Sequence, residues 1–271
     1  MADDVDGSVH NMDERSPRGA QSVARAALLL RLVTAQGERG GARTADLVAE
    51  AGLSRPTVHR LLSALRFEAL LDQDPATGRW FPGPELFLMG SVAAERYDVT
   101  ERARDIVHSL AATTGESAFL SVRRGDETVC LVHEDGAFPI RSHVLSEGVR
   151  FPLGVASAGL VILALLPEEE AGAYLDAHDL VPRWGEAHSA PSVRERLADT
   201  RDRGYSVNPG LIVEGSWGMG AAVLSRAGRP EWALSITGVE FRFGEDRRDS
   251  LGRALLGHAH ELSQRMRRGA H

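Results

Sequence analysis

Apolar residues recur every three or four positions through Val23, Ala26, Ala27, Leu30 and Val33. They recur again through Leu47, Val48 and Ala51, and through Val58, Leu61, Leu62 and Leu65. That period gives each of three short segments one apolar face, as a helix buried on one side requires. Gly52 suits the left-handed residue that closes the second segment. Ser54 suits the cap of the third, with Arg55, Pro56 and Thr57 as its first turn, and Leu53 and Val58 form a hydrophobic staple across that start. Residues 69–73 and 79–81 then flank Asp74-Pro75-Ala76-Thr77-Gly78, a turn sequence between two short strands. Three helices and a hairpin, in that order, predict a winged helix-turn-helix over residues 18–82.

Beyond Pro82-Gly83-Pro84, residues 85–94 and 99–113 read as helices, the first lying in a linker over 83–97. From Ala118 the period drops to two, and strands are expected at 118–122, 127–133 and 139–144. A helix rich in small residues follows at 156–166, and Ser192-Val193-Arg194-Glu195 resembles a capping box opening a helix to about residue 203. Strands at 205–207, 219–224 and 232–239 precede a final helix at 246–268, with Leu251, Ala254, Leu255, His258 and Leu262 along one face. The fold class expected is α+β: the winged helix, then a mixed, largely antiparallel sheet-and-helix domain over 98–271. Residues 1–17 lack periodicity and read as a disordered tail.

The third helix of the N-terminal module leaves polar side chains on its outer face. Arginine pairs bidentately with guanine, and serine or histidine reaches base edges or phosphates. The candidates for DNA contact are Arg43 and Thr44, then Ser54, Arg55, Thr57, His59, Arg60, Ser63 and Arg66, and Arg79 on the wing. An ordinary helical hairpin with a solvated basic face is the bland alternative.

Charge supports the sharper reading. All 31 basic residues counted as Lys and Arg are Arg, and the whole chain carries a net charge of −7. Residues 18–80 nevertheless hold nine Arg against six acidic residues, so the excess of positive charge is confined to this module. An acidic balance elsewhere argues against nonspecific coating of nucleic acid. Hydrophobic residues make up 43% of 271, enough for real cores. The first seventeen residues contain no apolar segment of a secretion signal, the run 160–166 is too short to span a bilayer, and one cysteine forms no internal disulfide. A cytoplasmic protein without membrane contact is expected.

Taken together, Ser22 to Ala26, Gly52 to Leu62, Gly115 to Ser117, Phe151 to Leu153 and Ala233 to Gly238 resemble motifs of the IclR family of bacterial transcriptional regulators. The resemblance spans roughly residues 20–265. It implies a GAF-like effector-binding domain, a double-stranded DNA operator, and self-association as a homodimer or homotetramer. It also implies a regulator, expected to be a repressor, whose operator binding answers to a small-molecule effector. Carried over by position, the effector residues are Ile140, His143, Ser157, Ala158, Ser216, Gly218, Ser235 and Thr237. The small residues of 151–159 would let a ligand approach the amides at a helix start, so an organic acid is a sensible guest. Tight helix–sheet packing demands the same composition. Some members carry Cys where Gly218 stands, Lys where Leu160 stands or His where Gly154 stands; these departures point to a larger or less polar ligand, such as an aromatic metabolite. No catalytic residue, cofactor or metal is expected: His258, His260 and Glu261 lack a supporting cluster, and Cys130 reads as a buried thiol. The competing classes are a hydrolase using Ser157, which lacks the first glycine of a nucleophile elbow, and a winged-helix adaptor that binds protein.

Overall fold

The computed structural model describes residues 20–37, 40–94, 99–140 and 144–268, so the expected tail at 1–17 lies outside the described residues. The chain divides into two compact units, residues 1–97 and 98–271.

The first unit is built from α1 (Gln21–Gly37), α2 (Thr44–Ala51) and α3 (Arg55–Phe67), followed by β1 (Leu71–Gln73), β2 (Trp80–Pro82) and α4 (Pro84–Ala94). Leu29 and Val33 of α1, Leu47 of α2, Val58 and Leu62 of α3 and Trp80 of β2 close on one core. Gly52 sits at φ 60° and turns the chain sharply between α2 and α3, a conformation that glycine adopts without a Cβ penalty. The hairpin is antiparallel, pairing Leu71 with Pro82 and Gln73 with Trp80. Asp74 Oδ1 accepts the amides of Ala76 and Thr77 and closes its turn. Ala69, at φ 54°, takes the left-handed region between α3 and the hairpin, which costs a residue with a Cβ about 1–2 kcal/mol.

The second unit has a six-stranded sheet in the order β5-β4-β3-β8-β7-β6. The strands are β3 (Ser117–Arg124), β4 (Glu127–Glu134), β5 (Arg150–Pro152), β6 (Ser206–Pro209), β7 (Ser216–Leu224) and β8 (Pro230–Val239), and every neighbouring pair is antiparallel. Alternation sends Ala118, Leu120, Leu234 and Ile236 to a core shared with α5 (Val99–Thr114) and α10 (Glu245–Arg268). It sends Phe119 and Ala233 to the other face, against α6 (Ser157–Leu165), α7 (Glu168–Ala177) and α9 (Ala190–Arg203). Gly218 and Gly220 on β7 make room for α6: a Cβ on Gly220 would stand 3.0 Å from Ser157 O.

Several expectations need correction. The run 139–144 forms no strand among its described residues; 137–140 and 144 are bends, and 141–143 lie outside the described residues. The edge strand is β5 instead, three residues ending in a proline, as an edge tolerates. Helices α7 and α8 (Val181–Trp184) occupy a region left without elements in the sequence reading. Helix α9 begins at Ala190 after Ser189, with proline in its first turn, so Ser192 lies inside the helix rather than capping it. Ser54 does precede α3, yet its hydroxyl pairs with Thr57 Oγ1 at 2.8 Å and makes no capping bond to an amide.

Candidate functional site

On α3 the buried stripe is Val58, Leu62 and Leu65. Arg55, His59, Arg60, Ser63 and Arg66 are exposed around the opposite side, so five of the sequence-predicted contacts share one surface. Ser54 and Arg43 are exposed as well, and Thr57 is half-buried. Two other predicted contacts have internal duties. Thr44 Oγ1 accepts Trp80 Nε1 at 3.0 Å, tying α2 to the wing. Arg79 Nη1 donates to the carbonyls of Gly40 and Gly41 at 3.2 and 3.0 Å. Through Nη1, Arg79 thereby ties the wing to the residues just before α2.

In the second unit a concavity of about 490 Å³, part of it open to solvent, lies between the sheet and the start of α6. Six predicted effector residues meet in its wall: Ser157, Ala158, Ser216, Gly218, Ser235 and Thr237. Ser235 and Thr237 alternate along β8 and face the same side. Their hydroxyl oxygens are buried and have no hydrogen-bond partner among the described residues. Buried hydroxyls are ordinarily satisfied, so two orphans in one concave wall mark a place prepared for a polar guest. Ile140 is 56% exposed and is not part of the wall, a correction that follows from the bend at 137–140. His143 lies outside the described residues.

Sequence reasoning missed most of the apolar wall, Val144, Leu145, Val149, Phe151 and Ile212, and the polar Ser121, Thr128 and Asn208. Much of that wall comes from irregular segments, which leave no periodic trace. Trp217 also lines the concavity. Among the described residues the wall carries no charged side chain.

The approach to α6 is held from outside. Tyr174 Oη donates to Leu153 O at 2.8 Å, Arg196 Nη2 to Gly154 O at 3.4 Å, and Asn208 Nδ2 to Val155 O at 2.7 Å. Ser206 Oγ donates to Ser157 O at 2.7 Å. Four side chains from three elements thereby set the path of one turn. Ala156, at the cap position of α6, has no side chain able to satisfy the first helical amides, and no capping bond is made. Those amides and the helix dipole present positive potential at the wall formed by Ala156, Ser157 and Ala158.

Other chemistry-bearing groups are structural. Cys130 is 2% exposed, and burial first, then the Glu147 charge, pushes its thiol up to about 12. His258 Nδ1 meets Ala254 O at 2.7 Å within its own helix. Among the described residues no group of three or more His, Cys, Asp or Glu is placed to hold a metal ion, and no helix is long and apolar enough to cross a membrane.

A winged helix-turn-helix followed by a pocket-bearing antiparallel sheet defines a DNA-binding regulator with its own ligand domain. Comparison with known proteins agrees: the family described as bacterial transcriptional regulator IclR C-terminal matches residues 91–264, and the IclR helix-turn-helix domain matches residues 22–75. The chain belongs to the IclR family of transcriptional regulators. It is 32% identical over 223 residues to the glycerol operon regulatory protein of Streptomyces coelicolor, covering 82% of this chain and 86% of that one. Its fold is similar to that of an IclR regulator from Alicyclobacillus acidocaldarius, with TM-score 0.74, 24% identity and coverage of 91% and 98%. It is also similar to that of an IclR homologue from Microbacterium hydrocarbonoxydans in complex with 4-hydroxybenzoate, with TM-score 0.71, 21% identity and coverage of 91% and 99%. Neither a hydrolase nor a protein adaptor is favoured by these relationships.

Proposed function

We propose that this regulator reads operator half-sites with the exposed face of α3 and that a small molecule seated between β8 and the start of α6 changes its grip on DNA. The assignment gives residues 18–82 to DNA, 83–97 to a connector and 98–271 to the effector, in a cytoplasmic protein. The single observation that carries the sensing half is the pair of buried, unpartnered hydroxyls on Ser235 and Thr237 inside a concave wall. For the reading half it is the clustering of Arg55, His59, Arg60, Ser63 and Arg66 on one open helix side.

The ligand class follows from the wall. Phe151, Val149, Leu145, Ile212 and Trp217 supply an apolar surface, and hydroxyls with helix amides supply the polar end. A small aromatic or branched acid matches both, in line with the 4-hydroxybenzoate held by the Microbacterium homologue. Coupling requires that this ligand bind two conformations unequally, since equal affinity shifts nothing.

Paired half-sites call for a symmetric assembly, and α4 supplies a surface for one. Phe87, Leu88, Met89 and Val92 are 75, 56, 53 and 71% exposed on that helix, an apolar face suited to a second copy of the chain. In vitro selection from a random duplex library, with the full chain as bait, tests the DNA reading. Arg60→Ala and Arg55→Ala should each weaken the selected site by about 1–3 kcal/mol if a bidentate base contact is lost. A wild type that enriches no sequence, or two variants that bind as tightly as wild type while folded, refutes this placement of α3.

A further inference from the structure

Buried charge in this unit is generally paired. Glu116, 2% exposed, meets both Arg242 and Arg247. Arg196 on α9 breaks that pattern. Its Nε and Nη1 atoms are buried and have no hydrogen-bond partner, and only Nη2 is engaged, with Gly154 O at 3.4 Å and Ala187 O at 3.0 Å. No carboxylate pairs with it among the described residues. Arg196 as a whole is half-buried, but enclosing two guanidinium nitrogens without a partner is still costly, and such exceptions concentrate where charge is used.

Its position gives the exception meaning. The carbonyl it grips belongs to Gly154, three residues before Ser157 opens α6, between the wall residues Phe151 and Ala156. Arg196 does not line the concavity itself. It holds the turn from outside the concavity, close enough to His188 for its charge to act on that imidazole. Burial first, and the neighbouring Arg196 charge second, hold the His188 imidazole below the usual histidine range. Thus histidine adds no second cation there, and the guanidinium is the local fixed charge. The wall in front has no charged side chain among the described residues to answer a ligand's charge.

We propose that Arg196 is a positioning residue that makes the effector pocket select a singly charged carboxylate over its uncharged counterpart, acting from behind the turn through its field and through Gly154. This rests on reading the concavity as the effector site. The uncompensated cation adds to the positive end of α6, and both fields reach the ligand through protein of low dielectric rather than through water. At an effective dielectric of about 20, a unit charge roughly 10 Å from an anion changes its affinity on the order of tenfold. A doubly charged ligand gains no second partner here and carries the desolvation cost of its extra charge.

Matched pairs of probes test this with the full chain: benzoate and benzamide, 4-hydroxybenzoate and 4-hydroxybenzamide, pyruvate and pyruvamide. Binding is read by calorimetric titration and by thermal shift for wild type, Arg196→Lys and Arg196→Gln. Glutamine removes the charge and is too short to reach Gly154 O, whereas lysine keeps the charge, so the carboxylate-to-amide ratio separates the charge from the backbone contact. In wild type and Arg196→Lys the carboxylate of a binding pair should be favoured on the order of tenfold. In Arg196→Gln the ratio should fall to near one, any slackening of the turn weakening carboxylate and amide alike. Where glutamine abolishes a cooperative melt, Arg196→Met serves in its place. A wild-type ratio near one overturns the proposal, as does a ratio preserved in the uncharged variants. Amides that bind while carboxylates gain nothing leave the pocket reading standing; silence from every probe, with DNA binding intact, removes both.

Discussion

Ser235 Oγ and Thr237 Oγ1 put the unliganded protein at a disadvantage that it need not have, since an unsatisfied buried hydroxyl costs roughly 1–3 kcal/mol. The consequence is a trade between stability and response. Ser235→Ala with Thr237→Val should raise the ligand-free unfolding free energy by about 1 kcal/mol, seen as a higher denaturant midpoint with unchanged slope. The same double variant should respond poorly to effector and bind its selected DNA normally. A lower midpoint instead would show that the hydroxyls are satisfied in solution and serve the fold. Both residues were legible in advance through the family resemblance, with which their alternation along one strand agrees. Ile140 was carried over by the same resemblance and falls outside the wall, since its segment bends and forms no strand.

At the level of elements, the start of β3 is fastened to the start of α10 by one carboxylate. Glu116 Oε1 accepts Arg242 Nε and Arg247 Nη1, while Arg247 Nη2 donates to Thr114 O at 2.5 Å. Arg242 also lies over the Phe138 ring at 4.1 Å. The arginines keep 22 and 32% of their side-chain exposure, which softens the penalty of leaving them unpaired. Glu116→Gln should still cost about 3 kcal/mol in global unfolding, measured by denaturant titration. A loss under about 0.5 kcal/mol, the range of an ordinary surface change, would mean that solvent already screens the cluster.

The elements that could be read from sequence are those with a clear period and punctuation. Helices α1 to α3 announced themselves through Leu, Val and Ala at helical spacing and through Gly52, and β8 through its alternation. Strand β5 is too short to show a period, and α7 begins with Glu168-Glu169-Glu170 and buries only Ala171, Tyr174 and Leu175. The effector wall does not divide on that line: Ser157, Ala158, Ser216, Gly218, Ser235 and Thr237 came with the family resemblance, whereas Ser121, Thr128, Phe151 and Asn208 on strands and Val144, Leu145, Val149 and Ile212 in irregular chain went unforeseen. Arg196 gave no signal either, because nothing in a sequence says that an arginine will lack a partner.

For the molecule as a whole, reading paired half-sites demands two copies in register. With Phe87, Met89 and Val92 left bare on α4, a single copy exposes an apolar stripe that association would cover. Phe87→Ser with Met89→Ser should shift sedimentation toward the monomer and weaken binding to a two-half-site duplex far more than to a single half-site. Assembly unchanged in that variant would place the contact elsewhere. The overall acidity, −7 against a locally basic reading module, should make the interaction steeply salt-dependent while limiting attachment to unrelated DNA.

The one sulfhydryl in 271 residues is shut inside the sheet and keeps its proton at neutral pH. Thiol-directed reagents will therefore pass over the native protein, because they attack the deprotonated and accessible form. A cysteine introduced on α3, or at the rim of the effector concavity, can then carry a fluorophore or spin label as a unique address. The wild-type background is already silent for watching the reading helix and the sensor move.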